Sequence, residues 1–80
     1  MYYLYILQSK KDQRYYIGVT NNIKRRFKEH NSGFVRSTAP YAPWEIKRIE
    51  EYPNIRLAYQ REKFIKTKHS KKIIESIISS

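Results

Sequence analysis

The sequence predicts an α/β fold of the α+β type, a small three-stranded antiparallel sheet flanked by helices in the order ββαβαα. Three observations predict it. Two aromatic and branched runs lie only about ten residues apart, too close for a crossover, so they pair as an antiparallel hairpin. A third such run follows a loop containing Gly and Pro. The second half then carries apolar residues at helical spacing.

Residues 2–7 (Tyr-Tyr-Leu-Tyr-Ile-Leu) read as the first strand, because aromatic and branched side chains suit a pleated surface. Ser9-Lys10-Lys11-Asp12-Gln13 is a hairpin loop, and residues 14–19 form the second strand. Thr20, Asn21 or Asn22 can cap a helix running to about Asn31, with Gly33 just past its end. Residues 33–43 read as a loop, and Trp44 to Glu51 as the third strand. Pro53-Asn54 turns the chain into a second helix at about 55–66. Ile73, Ile74, Ile77 and Ile78 predict a third over 71–78. No repeat, linker or low-complexity stretch interrupts the 80 residues, so 1–80 is expected to be one domain with a small core.

Composition narrows the function. There is no cysteine, which excludes a disulfide scaffold and a Cys-ligated zinc site. The two histidines, His30 and His69, are too far apart for a local metal motif. No apolar run approaches the ~20 residues that cross a bilayer, and the N-terminus lacks a signal-peptide pattern. The expectation is a soluble cytoplasmic protein without a membrane partner. Lys and Arg total 17 against 7 Asp and Glu, giving a net charge of +10 and favouring a polyanion, most often nucleic acid.

Periodicity sorts the side chains. Strand alternation puts Tyr15, Ile17 and Val19 on one face and Arg14, Tyr16 and Gly18 on the other. Leu4 and Ile6 match the first face. Tyr3 and Tyr5 match the second, where Tyr5 and Tyr16 can approach each other across the hairpin. Both faces of the first strand are apolar. On the first helix Ile23, Arg26, Phe27 and His30 share a side, while Arg25 points nearly opposite. Arg26 therefore borders the packed face and Arg25 lies in solvent. On the second helix Leu57, Ala58, Phe64 and Ile65 define an apolar arc with Glu62 at its edge. A hard cation wants that kind of oxygen ligand.

Tyr3-Leu4-Tyr5, then Tyr16-Ile17-Gly18, then Asn22 with Arg25-Arg26-Phe27 and His30 resembles the GIY-YIG nuclease family, especially its small standalone bacterial members. Arg61-Glu62-Lys63-Phe64-Ile65-Lys66 is similar to the family's Arg-Glu-x-x-Ile-Lys segment. The likeness covers nearly the whole chain, and its four motifs occur in order at suitable spacing. Two departures stand out: Tyr3 replaces the glycine of Gly-Ile-Tyr, and Ser70–Ser80 offers no counterpart to the asparagine beyond the last helix of many relatives. The N-terminal nuclease module of the bacterial excinuclease shares the pattern and suggests DNA repair as a setting, but the likeness implies none of its extra DNA-binding domains here.

The resemblance implies a metal-dependent DNA endonuclease. Glu62 would bind one divalent ion, Mg2+ or Mn2+, and Arg26 would polarise the phosphate. Tyr5 or Tyr16 would activate water, and His30 matches the family's histidine. Which tyrosine acts as base stays open; its normal pKa of ~10 calls for a nearby cation. Taken singly, each residue has a plainer role: a packed tyrosine, a surface arginine, a Glu62–Lys66 ion pair, a histidine at a helix C-terminus. Trp44, His69 and the isoleucines of the last helix are expected to be structural. Lys24, Arg25, Lys28, Arg36, Lys47 and Arg48 are candidates for DNA backbone contacts, and Tyr41 for stacking on an unpaired base. The DNA could be single- or double-stranded. One alternative is a non-catalytic nucleic-acid-binding module. Another is an interaction subunit, a homodimer or a chain whose Ile-rich last helix docks a partner that supplies specificity.

Overall fold

The computed structural model describes residues 1–68 and 70–80; the expectation for His69 falls outside the described residues. Strands β1 (Tyr2–Ser9), β2 (Tyr15–Thr20) and β3 (Trp44–Tyr52) form one antiparallel sheet in the order β2-β1-β3. Helix α1 (Ile23–Asn31) follows the hairpin, a 3-10 turn covers Ala39–Tyr41, and helices α2 (Ile55–Lys68) and α3 (Lys71–Ser79) end the chain. The expected ββαβαα order and antiparallel sheet are both present.

Local chemistry sets the helix starts. The Asn22 side chain accepts the Arg25 amide at 3.0 Å and caps α1, and Gly33 takes the left-handed conformation just beyond its end (φ +83°). The Asn54 side chain accepts the Leu57 amide at 3.0 Å at the start of α2, and the Ser70 side chain accepts the Ile73 amide at the start of α3.

The sheet is packed on both faces. Leu4, Tyr5, Ile6 and Leu7 are all buried, as a central strand requires. One face, with Leu4, Ile6 and Ile17, packs under Ile65 of α2 and Ile74, Ile77 and Ile78 of α3. The other, with Tyr5, Leu7 and Trp44, packs under Ile23 and Phe27 of α1. The isoleucines of the last helix are structural, as expected: Ile74, Ile77 and Ile78 are spent on the chain's own sheet, which leaves only Ile73 substantially exposed for the alternative partner-docking reading. Phe64 is a correction to the expected apolar arc of α2. It lies about 100° from Ile65 on the helical wheel, so it turns outward beside Arg61 and Lys68, and the buried stripe narrows to Ala58 and Ile65.

Candidate active site

Strand pairing brings the tyrosines together. Tyr5 lies opposite Gly18 and Leu7 opposite Tyr16, so both tyrosines project from the α1 face, with ring centroids 6.2 Å apart. Gly18 makes this possible. A Cβ added there would stand 2.5 Å from the Tyr5 hydroxyl, so the bare backbone accommodates the buried ring.

Helix α1 closes the site from above. His30 is fully buried, with ring centroids 5.7 Å from Tyr5 and 4.8 Å from Tyr16. Its Nε2 lies 2.9 Å from the Tyr5 hydroxyl and its Nδ1 2.8 Å from Thr38 Oγ1. Arg26, one turn earlier, is half-buried beside the Tyr5 hydroxyl and pairs with Glu29 at 3.1 Å, while Arg25 is exposed.

The electrostatics keep this cluster neutral at its centre. Burial pushes the Tyr5 hydroxyl up to about 12 against the opposing hydrogen bond from Arg26, and the charge of Glu62 adds to the rise. Burial, reinforced by the Arg26 charge, lowers His30 to about 4. With Tyr5 raised and His30 lowered, both are neutral near pH 7. Arg26 carries the local positive charge.

Glu62, on α2, acts through its charge on the Tyr5 hydroxyl. It is mostly buried and pairs with Lys66 at 3.3 Å, as the plainer expectation had it. Among the described residues, no group of three or more His, Cys, Asp or Glu could enclose a metal ion. A single carboxylate still suits magnesium, which keeps several waters and takes further oxygens from substrate phosphates. Glu62 fits that mode.

The expected DNA contacts divide between the two sides of the sheet. Lys24, Arg25 and Lys28 are exposed on α1, and Arg36 is exposed on the adjoining loop. Arg25 and Arg26 also line an open cleft of about 330 Å³ with Thr20 and Asn21. Arg48 is engaged within the chain. Between Ile6 and Leu7 the β1–β3 register skips Lys47, and this bulge turns Arg48 toward α3. There it pairs with Glu50 at 2.7 Å and donates to the Ile77 carbonyl at 2.9 Å. Lys47 pairs with Glu45 at 2.6 Å and adjoins Tyr15, also on the α2/α3 side. Tyr41 is half-buried, and the Arg14 guanidinium sits 3.5 Å over its ring, so one stacking face is already covered.

Sequence reasoning missed Thr38, Asn31 and Glu50. Thr38 is buried under Trp44, whose indole donates to the Thr38 carbonyl at 3.0 Å. The Asn31 side chain bonds both the Trp44 amide and carbonyl, fixing the end of α1 to β3. Neither a polar residue in a Pro-containing loop nor one at a helix end gives a periodic signal, and Glu50 joins Arg48 and Tyr52 of its own strand to Arg61 of α2, a pairing that only the fold supplies.

The GIY-YIG catalytic domain model matches residues 1–74. The chain belongs to the GIY-YIG family. A UPF0213 protein of Clostridium perfringens is 40% identical over 67 residues, covering 82% of this chain and 71% of that protein. The solution NMR structure of a UPF0213 protein from Bacillus halodurans has the same fold, with a TM-score of 0.63 and 31% identity over 99% of this chain and 84% of the other. Membership implies nuclease-type function and a nucleic-acid substrate, and the family generally uses a divalent metal. Among the described residues, no helix is long and apolar enough to cross a membrane.

Proposed function

We propose that this GIY-YIG protein is an endonuclease that hydrolyses phosphodiester bonds in DNA at the α1 face of its sheet. The observation that carries the reading is the convergence of Tyr5, Tyr16, His30 and Arg26 around one hydroxyl, within reach of the Glu62 charge. Hydrolysis needs a positioned water, positive charge on the phosphoryl oxygens and help for the leaving oxygen. Arg26 supplies the fixed positive charge, half-exposed at the rim of a cleft.

Tyr16 is the hydroxyl that meets the attacking water. Tyr5 is only 3% exposed and its hydroxyl is held by His30, whereas Tyr16, at the β2 edge, is half-exposed on a second open cleft, lined also by Ile65 and Lys66 of α2. Tyr5 and His30 form the rigid wall behind it, consistent with their neutral resting state. Glu62 would hold the divalent ion, Mg2+ or Mn2+, which neutralises charge at the phosphate when bound. Lys24, Arg25, Lys28 and Arg36 contact the DNA backbone and supply affinity without sequence preference.

The rival is a binding module without chemistry, favoured by the existing Glu62–Lys66 pair. Incubation of the purified protein with labelled single- and double-stranded DNA, in magnesium, manganese or chelator, separates the two. The nuclease reading predicts cleavage that chelator abolishes; retarded but uncut DNA in every condition would establish the rival.

A further inference from the structure

His30 has no exposed surface and both ring nitrogens are occupied, so its tautomer is dictated by its partners. Thr38 is the partner that can decide. Its hydroxyl has a single proton, and the Val35 carbonyl lies 3.2 Å away to accept it. Thr38 Oγ1 then faces His30 Nδ1 as an acceptor, at 2.8 Å. The Val35 carbonyl also accepts the Thr38 and Ala39 amides, and the Tyr5 hydroxyl completes the assignment. That hydroxyl is enclosed, receives Arg26 and faces His30 Nε2 at 2.9 Å, so its proton goes to Nε2 and the ring proton sits on Nδ1 toward Thr38.

We propose that Thr38 is a positioning residue that locks His30 in the Nδ1–H tautomer and thereby makes Tyr5 donate inward, presenting its oxygen to the site as an acceptor. With the opposite tautomer, Nε2–H would donate to Tyr5 and the Tyr5 proton would turn outward. An outward proton would compete with the neighbouring Arg26 guanidinium for the same phosphate oxygens. An acceptor there instead receives a donor from Arg26 and holds that guanidinium in place. Thr38 is itself well anchored. Its amide donates to the Val35 carbonyl at 3.1 Å, and its carbonyl accepts from the Trp44 indole and from the Tyr41 amide. The 33–43 segment thus sets the hydrogen-bond polarity of a tyrosine on the central strand.

This inference rests on the proposed nuclease site for its consequence but not for its test. The ring nitrogens of His30 can be read by long-range proton–nitrogen NMR on the isotope-labelled full chain without DNA, with His69→Gln used for assignment. The expected spectrum at neutral pH shows Nδ1 protonated and Nε2 bare. Thr38→Ser keeps that pattern, and Thr38→Val mixes or reverses it. Cleavage then falls about ten-fold or more in Thr38→Val and is restored in Thr38→Ser. A protonated Nε2 in the wild type overturns the assignment, as does a Thr38→Val spectrum identical to wild type. A changed tautomer with unchanged cleavage overturns the positioning role. If the wild type cuts no DNA, the nuclease reading fails while the tautomer result stands. Should Thr38→Val not fold, the wild-type and Thr38→Ser spectra carry the decision, since loss of the Nδ1–H pattern in either contradicts the proposal.

Discussion

The two faces of the sheet carry similar side chains and put them to different uses. On the α2/α3 face, Glu50 is almost enclosed by Arg48, Arg61 and the Tyr52 hydroxyl, with both carboxylate oxygens paired. Burial alone would raise its pKa, but those three partners overcome it and hold it at about 2. On the α1 face, Arg26 has one carboxylate neighbour and still reaches an open cleft, while Tyr16 stays half-exposed. A tyrosine–arginine–glutamate cluster whose valences are all spent locks elements together. A similar cluster with valences left over can meet a ligand. Residue type alone does not separate structure from chemistry; the number of unused hydrogen-bonding positions does.

Gly18→Ala should disturb the α1 face most. Its new Cβ would overlap the buried Tyr5 ring, and relieving that overlap should cost about 1–3 kcal/mol and cleavage together. Urea unfolding and a cleavage assay on the same sample would show whether the two losses coincide. Glu50→Gln should do the reverse. Leaving Arg48 and Arg61 short of their counter-charge should cost about 2 kcal/mol in unfolding experiments, with cleavage per folded molecule unchanged.

Acid should also distinguish the faces. His30 titrates near 4 when folded against an ordinary 6.5, so the unfolded chain binds the proton first as pH falls. Its contribution is complete above about pH 6.5 and is lost as pH falls through 4, amounting to at most about 3 kcal/mol. Glu50 acts with the same sign in a lower window, from 4.5 down to about 2. Thermal melts should therefore lose stability in two acid steps, and His30→Gln should remove only the upper one. The smallest effect concerns salt. Removing Arg25 or Lys28 should lower the slope of log affinity against log salt by about one each, while Lys47→Ala leaves it unchanged.

Much of this site was legible because it sits on regular elements. A period of two put Tyr5, Tyr16 and Gly18 on one face, and a period of 3.6 put Arg26 and His30 together and Arg25 outside. The surroundings of Arg48 were not legible for an equally definite reason. Unbroken alternation would set it with Trp44 and Ile46, and the bulge at Lys47 reverses that phase. Thr38 lies where no period applies, so only the folded path of residues 33–43 could bring it to His30. Phe64 shows that an apolar residue one step from the buried stripe can stay in solvent beside cations.

On the proposed function, chemistry belongs to the α1 face, with Arg26 as its charged centre. The sharpest test is cleavage of labelled DNA in magnesium by Arg26→Ala, Arg25→Ala and Glu50→Gln, each normalised to folded protein. Arg26→Ala should lose about 100-fold or more even at saturating DNA. Arg25→Ala should bind more weakly but cut normally once saturated, and Glu50→Gln should match the wild type. An inactive Arg25→Ala beside an active Arg26→Ala would contradict this assignment of the site.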